Sequence, residues 1–407
     1  MREGVDISSE KIPATPAHQS FAEFHNRLST DSEAWSLANE ALSVYPPDAS
    51  LGIIESESGK SFTFAASGDG LEVRPGSEQA DALLEIQTNG WRDFRAALET
   101  TQSLLYSDRA RMQRGPMRIF ESWGPVFEAL YHRRAPYNRQ RLNLRNLGGE
   151  PLDPNRSFAP GDDFDEMRHF LDEVGYLRLR DALNHTEIAN LTAVAERLRG
   201  EAIEGDGRSW WGTNRDGQSR LFRVHYAAQS PEVQRLRASS VVASLLRLSP
   251  DEMVAPDEDE IHSTIVLWKQ FGMTEGLADL PWHRDCQLGG HARNCPTLVM
   301  SAHLGEAQPE SGDLRFLPGS HRGSFWAQDM NQRDLVGSIG VGAEPGDLTL
   351  HYSDVVHMAP APTSAEGPFR TSIVTMYRRP ASGNHRGDDR HYFDALEAGD
   401  GHVRSLA

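Results

Sequence analysis

The sequence predicts a mixed chain, a small α+β domain followed by a larger, β-rich domain arranged as a sandwich or barrel. Three observations carry this. Between Leu51 and Val73, short and partly alternating apolar runs are punctuated by Gly59, Gly68 and Gly70, the texture of a strand meander. Trp91, Phe94 and Leu98, then Ile119, Trp123, Val126, Phe127 and Leu130, fall at helical spacings. From Ile261 onward the chain is a succession of short strand-like runs divided by Gly and Pro. At 407 residues it is also too long for one compact core.

In chain order, residues 1–34 are polar without a sustained period and read as a flexible leader. Residues 35–137 form the α+β domain, with strands expected around Leu51–Ile54, Ser61–Ala65, Gly70–Arg74 and Ala82–Gln87. Residues 138–162, rich in Asn, Arg, Gly and Pro, read as a linker. The second domain, residues 163–407, opens with a helix from Phe164 and a strand over Gly175–Arg180. A further helix carries Leu183, Ile188, Leu191, Val194, Ala195 and Leu198 on one face, and His185 within it is expected to be solvated. Residues 200–230, with Trp210, Trp211, Arg215, Arg220, Arg223 and His225, read as a lid. Its arginines either meet an anionic head group or are surface charges.

Bulk composition excludes more than it identifies. A share of 38% hydrophobic and 25% charged residues is that of an ordinary globular protein. A formal net charge of −18 argues against nucleic-acid or anionic-membrane partners, which are themselves negative. No apolar run approaches the ~20 residues needed to cross a bilayer. The stretch after Met1 and Arg2 lacks an apolar signal segment, so a cytoplasmic location is expected. Cys286 and Cys295 cannot make a zinc site alone, and small buried thiols are the simpler reading. Lysine occurs only at Lys11, Lys60 and Lys269, which singles out the last, close to the motif described next.

That motif is Leu280-Pro281-Trp282-His283-Arg284-Asp285. In an extended chain residues i and i+2 point the same way, so His283 and Asp285 can address one metal ion. Two histidines and one carboxylate on one face of an octahedron leave three positions open, the arrangement of Fe(II) oxygenases. Among 16 histidines, a single His-x-Asp is a weak signal. Three further stretches strengthen it. Gly346-Asp347 opens a strand in which Leu348, Leu350 and Tyr352 alternate with polar residues, and His357 follows. Arg370 stands two residues before Ser372 on the next strand, so a guanidinium fork and a hydroxyl share a face and suit a carboxylate. Ser311 to His321 reads as a strand closed by a tight Pro-Gly-Ser turn, which explains His321 as a turn residue. His303 and His351 read as core or wall histidines, and His291 as a residue that could line a substrate mouth.

From about Phe164 to Arg379 the sequence resembles the phytanoyl-CoA dioxygenase family, through Leu280–Asp285, Gly312–Arg322 and Gly346 through His357 to Arg370. The resemblance implies a double-stranded β-helix (a cupin-like jelly roll) with flanking helices, using Fe(II), 2-oxoglutarate and O2. It carries His283, Asp285 and His357 over as iron ligands, with Arg370 and Ser372 gripping the distal carboxylate of 2-oxoglutarate. Lys269 corresponds to a family lysine near the co-substrate, and Trp282 packs against the site. Trp282, Trp211 and Arg223 are the expected substrate contacts. The implied activity is oxidation of an unactivated C–H bond in a small molecule, hydroxylation first, with desaturation or ring closure using the same residues. Halogenation is disfavoured, because Asp285 fills the position a halide would need.

Residues 35–135 resemble the sterol carrier protein type-2 domain, through the meander of Phe62, Phe64, Leu71 and Val73, the run Ala80–Ile86, and the closing helix after Gly115. This implies a small α/β unit with an apolar tunnel lined by residues such as Phe62, Phe64 and Trp123. It would capture a lipid-like or acyl-thioester substrate, or serve as a scaffold. The rival from another class is a non-catalytic lipid-binding or sensing protein on the same jelly roll. A metal-dependent isomerase or hydrolase would have no reason for Arg370 and Ser372.

Overall fold

The computed structural model describes residues 19–261, 263–276, 278–285, 297–367 and 369–380. His291, Cys286 and Cys295 lie outside these residues.

The first domain is a five-stranded sheet ordered β3-β2-β1-β4-β5. Its strands are β1 (Leu51–Glu55), β2 (Ser61–Ser67), β3 (Gly70–Pro75), β4 (Ala82–Ile86) and β5 (Ala110–Arg114). The alternating runs form an antiparallel meander of β1 to β3, while β4 pairs parallel to β1. The helix Ser32–Val44 packs beside the helix Gly124–His132. Asp31 caps the first of these by accepting from the Ala34 amide at 3.1 Å. Order begins earlier than the leader expected over residues 1–34, because Phe21 finds a pocket to fill. The helix Phe21–His25 buries Phe21 against Phe62 and Trp91.

The residues expected to line a tunnel form a packed core instead. Phe62, Phe64 and Trp123 are at most 4% exposed, and Phe64 meets Phe127 edge-on at 5.1 Å. Edge-to-face aromatic contacts fill space at near-crystalline density, and Phe94, Phe120 and Phe127 extend the same cluster.

The segment 138–162 connects the domains, and it is tied down rather than free. Phe158 exchanges backbone hydrogen bonds with Arg178 and Arg180, laying the connection along the second domain.

In the second domain, a seven-stranded sheet is ordered β6-β14-β11-β16-β9-β8-β7 and a four-stranded sheet β10-β15-β12-β13. The first strands are β6 (Tyr176–Leu179), β7 (Ser209–Thr213), β8 (Ser219–Val224), β9 (Thr264–Trp268), β10 (Leu280–His283) and β11 (Thr297–His303). They are followed by β12 (Leu314–Phe316), β13 (Ile339–Val341), β14 (Leu348–Tyr352), β15 (His357–Ala359) and β16 (Thr371–Arg378). Every pairing in both sheets is antiparallel. From β9 to β16 the chain distributes its eight strands over the two sheets in jelly-roll fashion. Leu298, Met300, Leu348, Leu350 and Ile373 line the face of the larger sheet away from the gap between the sheets, within the same apolar cluster that takes in Leu314, Phe316 and Ala359 of the smaller sheet. The stretch read as a lid is instead the hairpin β7–β8, which extends the larger sheet at its edge because Arg223 and Val224 pair with β9. No helix among the described residues is long and apolar enough to cross a membrane.

Truncating a ring in the first domain's core should be expensive. Phe64→Ala is expected to destabilise the protein by about 3–5 kcal/mol in denaturant unfolding. A loss below ~1 kcal/mol would show that these rings do not share one packed core.

Candidate metal and carboxylate site

The site begins with a register. β10 and β15 are antiparallel neighbours, and His283 pairs directly with His357, so the rings stand 4.2 Å apart between centroids. Asp285, two residues beyond His283, completes a group whose ligand atoms all lie within 4.8 Å of one another. His283 Nε2 is 3.5 Å from one Asp285 oxygen, and His357 Nε2 is 3.8 Å from the other.

Both imidazoles are held by their other nitrogen. His283 Nδ1 donates to the Pro281 carbonyl at 2.7 Å, and His357 Nδ1 to the Val355 carbonyl at 3.1 Å. A carbonyl only accepts, so each ring carries its proton on Nδ1 and turns the Nε2 lone pair inward. His283 Nε2 is buried and has no hydrogen-bond partner among the described residues. Burial, with His283 beside it, holds His357 well below the usual imidazole range and therefore neutral, the form that ligates. Burial alone would raise Asp285, but His357, His283 and His351 outweigh it, and the carboxyl is held well below its ordinary value. The neutral His357, the inward Nε2 of His283 and one carboxylate oxygen converge in a set that fits a divalent iron.

His351 belongs to this cluster, where the sequence suggests only a wall histidine. Its Nε2 lies 3.4 Å from Asp285 Oδ2, and its ring 4.6 Å from that of His357. The signal was present in β14, whose apolar residues alternate with Thr349 and His351. Those two share the face turned toward the site, where Thr349 Oγ1 meets His303 Nε2 at 3.1 Å. Phe316 lies near-parallel over His357 at 5.9 Å and is itself stacked on Tyr176 at 4.5 Å, forming an aromatic floor.

The second half of the site is cationic. Arg370 is 3% exposed, and its Nε and Nη1 have no hydrogen-bond partner among the described residues. Ser372 Oγ, at 1% residue exposure, is likewise unpartnered. Burial lowers the guanidinium to about 10, against the pull of Asp313 and Asp279, so it remains charged at neutral pH. A buried fork of N–H donors beside a hydroxyl donor fits a carboxylate. His303, facing Ser372 in register, is held neutral by burial, at about 3.

Lys269 links the two halves. Its backbone N–H donates to the Arg370 carbonyl, while its ammonium is bound by Asp279 at 2.8 Å and by the carbonyl of Ala359, two residues past His357. Gly312, at φ +86°, makes room for it, since a Cβ there would meet the Pro360 carbonyl oxygen at 2.9 Å and the lysine stem at 3.4 Å.

Of the three residues expected to touch substrate, Trp282 sits elsewhere, while Arg223 pairs with Leu267, the register partner of Ser372, and shares that face of the sheet. Trp282 alternates with His283 and is buried with Tyr137, Leu317, Val356 and Met358 on the opposite side of the sheet, donating its indole N–H to the Gln332 carbonyl at 2.6 Å. Arg223 lies over the Trp210 ring at 4.7 Å. Trp211 packs against the main core and donates to Ser209 Oγ at 2.9 Å. His321, as expected, is a turn residue, bonded to the Asp172 carbonyl at 2.9 Å.

Compared with known proteins, residues 171–372 match the family model described as phytanoyl-CoA dioxygenase. Similar solved structures include AviO1 from Streptomyces viridochromogenes Tue57, at 25% identity over 54% of this chain and 96% of that one, with a TM-score of 0.44. The α-ketoglutarate-dependent carbocyclase SnoK of nogalamycin biosynthesis is 25% identical over 55% of this chain and 87% of its own, with a TM-score of 0.41. EctD from S. alaskensis, solved with 2-oxoglutarate and 5-hydroxyectoine, is 24% identical over 60% and 86%, with a TM-score of 0.42. No curated protein matches the chain.

The buried lysine gives a pH signature. Burial lowers Lys269 to about 8 from an ordinary value of 10.5, against the pull of Asp279. Between those values the unfolded chain binds more protons than the folded one, so raising the pH favours the fold. The stability of the wild type relative to Lys269→Met should therefore rise from pH 8 toward 10.5 in denaturant unfolding. A flat difference across that window would show that the folded lysine keeps its proton.

Proposed function

Residues 171–372 belong to the phytanoyl-CoA dioxygenase family, which makes the chain a 2-oxoglutarate-dependent non-haem iron oxygenase; on that premise we propose that His283, Asp285 and His357 hold the iron, and that Arg370 and Ser372 anchor the co-substrate. One observation carries the reading: beside a convergent His-Asp-His triad stand a buried guanidinium and hydroxyl whose Nε, Nη1 and Oγ have no hydrogen-bond partner among the described residues. A metal-binding scaffold alone would have no use for the second half.

When bound, Fe(II) supplies the activation of O2 that couples decarboxylation of 2-oxoglutarate, to succinate and CO2, with oxidation of a substrate C–H bond. The protein's residues do the rest by placement. The carbonyls of Pro281 and Val355 fix the tautomers of the two histidines, and His351 stands beside Asp285 Oδ2, the oxygen that also faces His357. Arg370 and Ser372 orient the distal carboxylate, so that the keto acid presents its other end to the triad. The apolar walls around Phe316 exclude water from the reacting centre.

The substrate is proposed to be a small molecule of hydrophobic, acyl or natural-product type, with hydroxylation as the default outcome. For the first domain, the filled aromatic core favours the scaffold reading over lipid capture. Lys269 is proposed to act as a brace between β9 and β15 rather than as a direct ligand of 2-oxoglutarate, since Asp279 and Ala359 engage its ammonium.

The test separates the halves of the site. His283→Ala, Asp285→Ala and His357→Ala should each abolish iron-dependent succinate formation while circular dichroism shows a retained fold. Undiminished turnover in any of them would remove that residue from the ligand set. Arg370→Ala should leave metal binding intact and weaken 2-oxoglutarate binding on the order of 100-fold, the loss of a charge-assisted fork worth ~2–3 kcal/mol. Arg370→Lys should recover only part of it, because a point charge does not replace a planar fork. Wild-type affinity for 2-oxoglutarate in both variants would place the anchor elsewhere.

A further inference from the structure

We infer that Arg134, a residue of the first domain, is a positioning residue for the metal site, acting through Asp354 and Arg284; the inference rests on the metal reading above. Arg134 follows the helix Gly124–His132, and its side chain is buried. Its guanidinium pairs with Glu128 of its own domain at 3.0 Å and reaches across to Asp354 at 2.6 Å and to the His321 carbonyl at 2.7 Å.

The two contacts that cross to the second domain lead to the ligands. Asp354 lies three residues before His357, in the loop that enters β15. Its other oxygen is 3.8 Å from Nε of Arg284, the residue between His283 and Asp285. Arg284 is itself buried, and it donates to the carbonyls of Ser320 (2.9 Å) and Gly323. The Ser320 hydroxyl in turn accepts from the amide of Val356, next to His357, at 2.8 Å. The loop 319–324 is thus bonded to both ligand-bearing segments. The first domain holds the same loop through its backbone as well, since Ser324 donates to the Ala135 carbonyl and Tyr137 donates to that of Ser324.

The alternation of strand side chains explains why this route exists. His283 and Asp285 point into the site, so Arg284 must point out of it, toward the other domain. There a buried arginine needs a counter-charge, and Asp354 supplies it. One carboxylate between two guanidiniums holds both chain segments in register. Removing Arg134 takes away the shorter of these two ion pairs and loosens the loop that sets the spacing of His283, Asp285 and His357.

The experiment titrates full-length protein with Co(II), whose ligand-field absorption reports both affinity and coordination geometry, and records thermal unfolding in parallel. Arg134→Met is expected to bind Co(II) at least 10-fold more weakly and with an altered spectrum, the size seen when outer partners of metal ligands are lost. Arg134→Lys, which keeps the charge, should restore part of the affinity. If Arg134→Met does not fold, Asp354→Asn decides, because it removes the central charge at constant shape and should weaken binding in the same direction. Arg133→Gln is the control, since among the described residues Arg133 pairs with Asp31 and Glu33 of the first domain, and the variant should bind Co(II) as the wild type does. Wild-type affinity and spectrum in folded Arg134→Met or Asp354→Asn overturn the inference. Failure of the metal reading is a different result, in which the wild type binds Co(II) no better than His357→Ala.

Discussion

The opposition of His283 and His357 across two neighbouring strands is the constraint from which the rest of this site follows. Two imidazoles 4.2 Å apart, with a carboxylate beside them, form a polar island between apolar sheets. Burying them is tolerable only if protonation states are settled and every remaining polar edge is met. The Pro281 and Val355 carbonyls settle the tautomers, His351 meets the carboxylate, and Phe316 covers the ring of His357. A one-residue slip of β15 would bring Val356 or Met358 to the site and turn His357 into the cluster around Trp282.

The parts of the molecule legible in its sequence are those governed by short-range periodicity. Alternation placed His283 with Asp285 and Arg370 with Ser372, and the strand meander and helical spacings outlined the first domain. What escaped depends on contacts distant in sequence. His351 gains its role from Asp285, which is 66 positions away; alternation in its own strand turns it inward but does not reveal that partner. The family resemblance puts Trp282 against the site, although the same alternation that pairs His283 with Asp285 turns Trp282 away. Phe62, Phe64 and Trp123 look the same in sequence whether they line a tunnel or fill one. Only the rings arriving from Phe21, Phe94 and Phe127 decide the matter.

The two domains meet through charge and backbone as well as through apolar surface. Arg134, Asp354 and Arg284 form a chain of ion pairs, Ala135 to Tyr137 pairs with the loop after β12, and Tyr137 is buried with Trp282, Leu317, Val356 and Met358. Buried ion pairs add little net stability, because desolvation offsets their attraction, but they are intolerant of the wrong geometry. The charged contacts fix position, and the apolar cluster supplies the adhesion. That suits a first domain whose core is closed, and it gives the domain a place in the chemistry without a ligand of its own.

Charge balance across the site points to the same ligand as the geometry. Asp285 contributes one negative charge, and the neutral His357 none. Lys269 is paired with Asp279, and Arg370 keeps its Nε and Nη1 without a hydrogen-bond partner among the described residues. With a divalent metal in the triad, the sum of metal, Asp285 and Arg370 is two positive charges in a region that water does not enter freely. A monoanion would leave one of them unpaired in low dielectric, which is costly. A molecule with one carboxylate for the fork and another for the metal neutralises both, provided its length spans the gap between β16 and the β10–β15 pair. A dicarboxylic keto acid has that form. The positive residue at one end and the open metal face at the other are therefore two halves of a single recognition problem, and neither half explains itself alone.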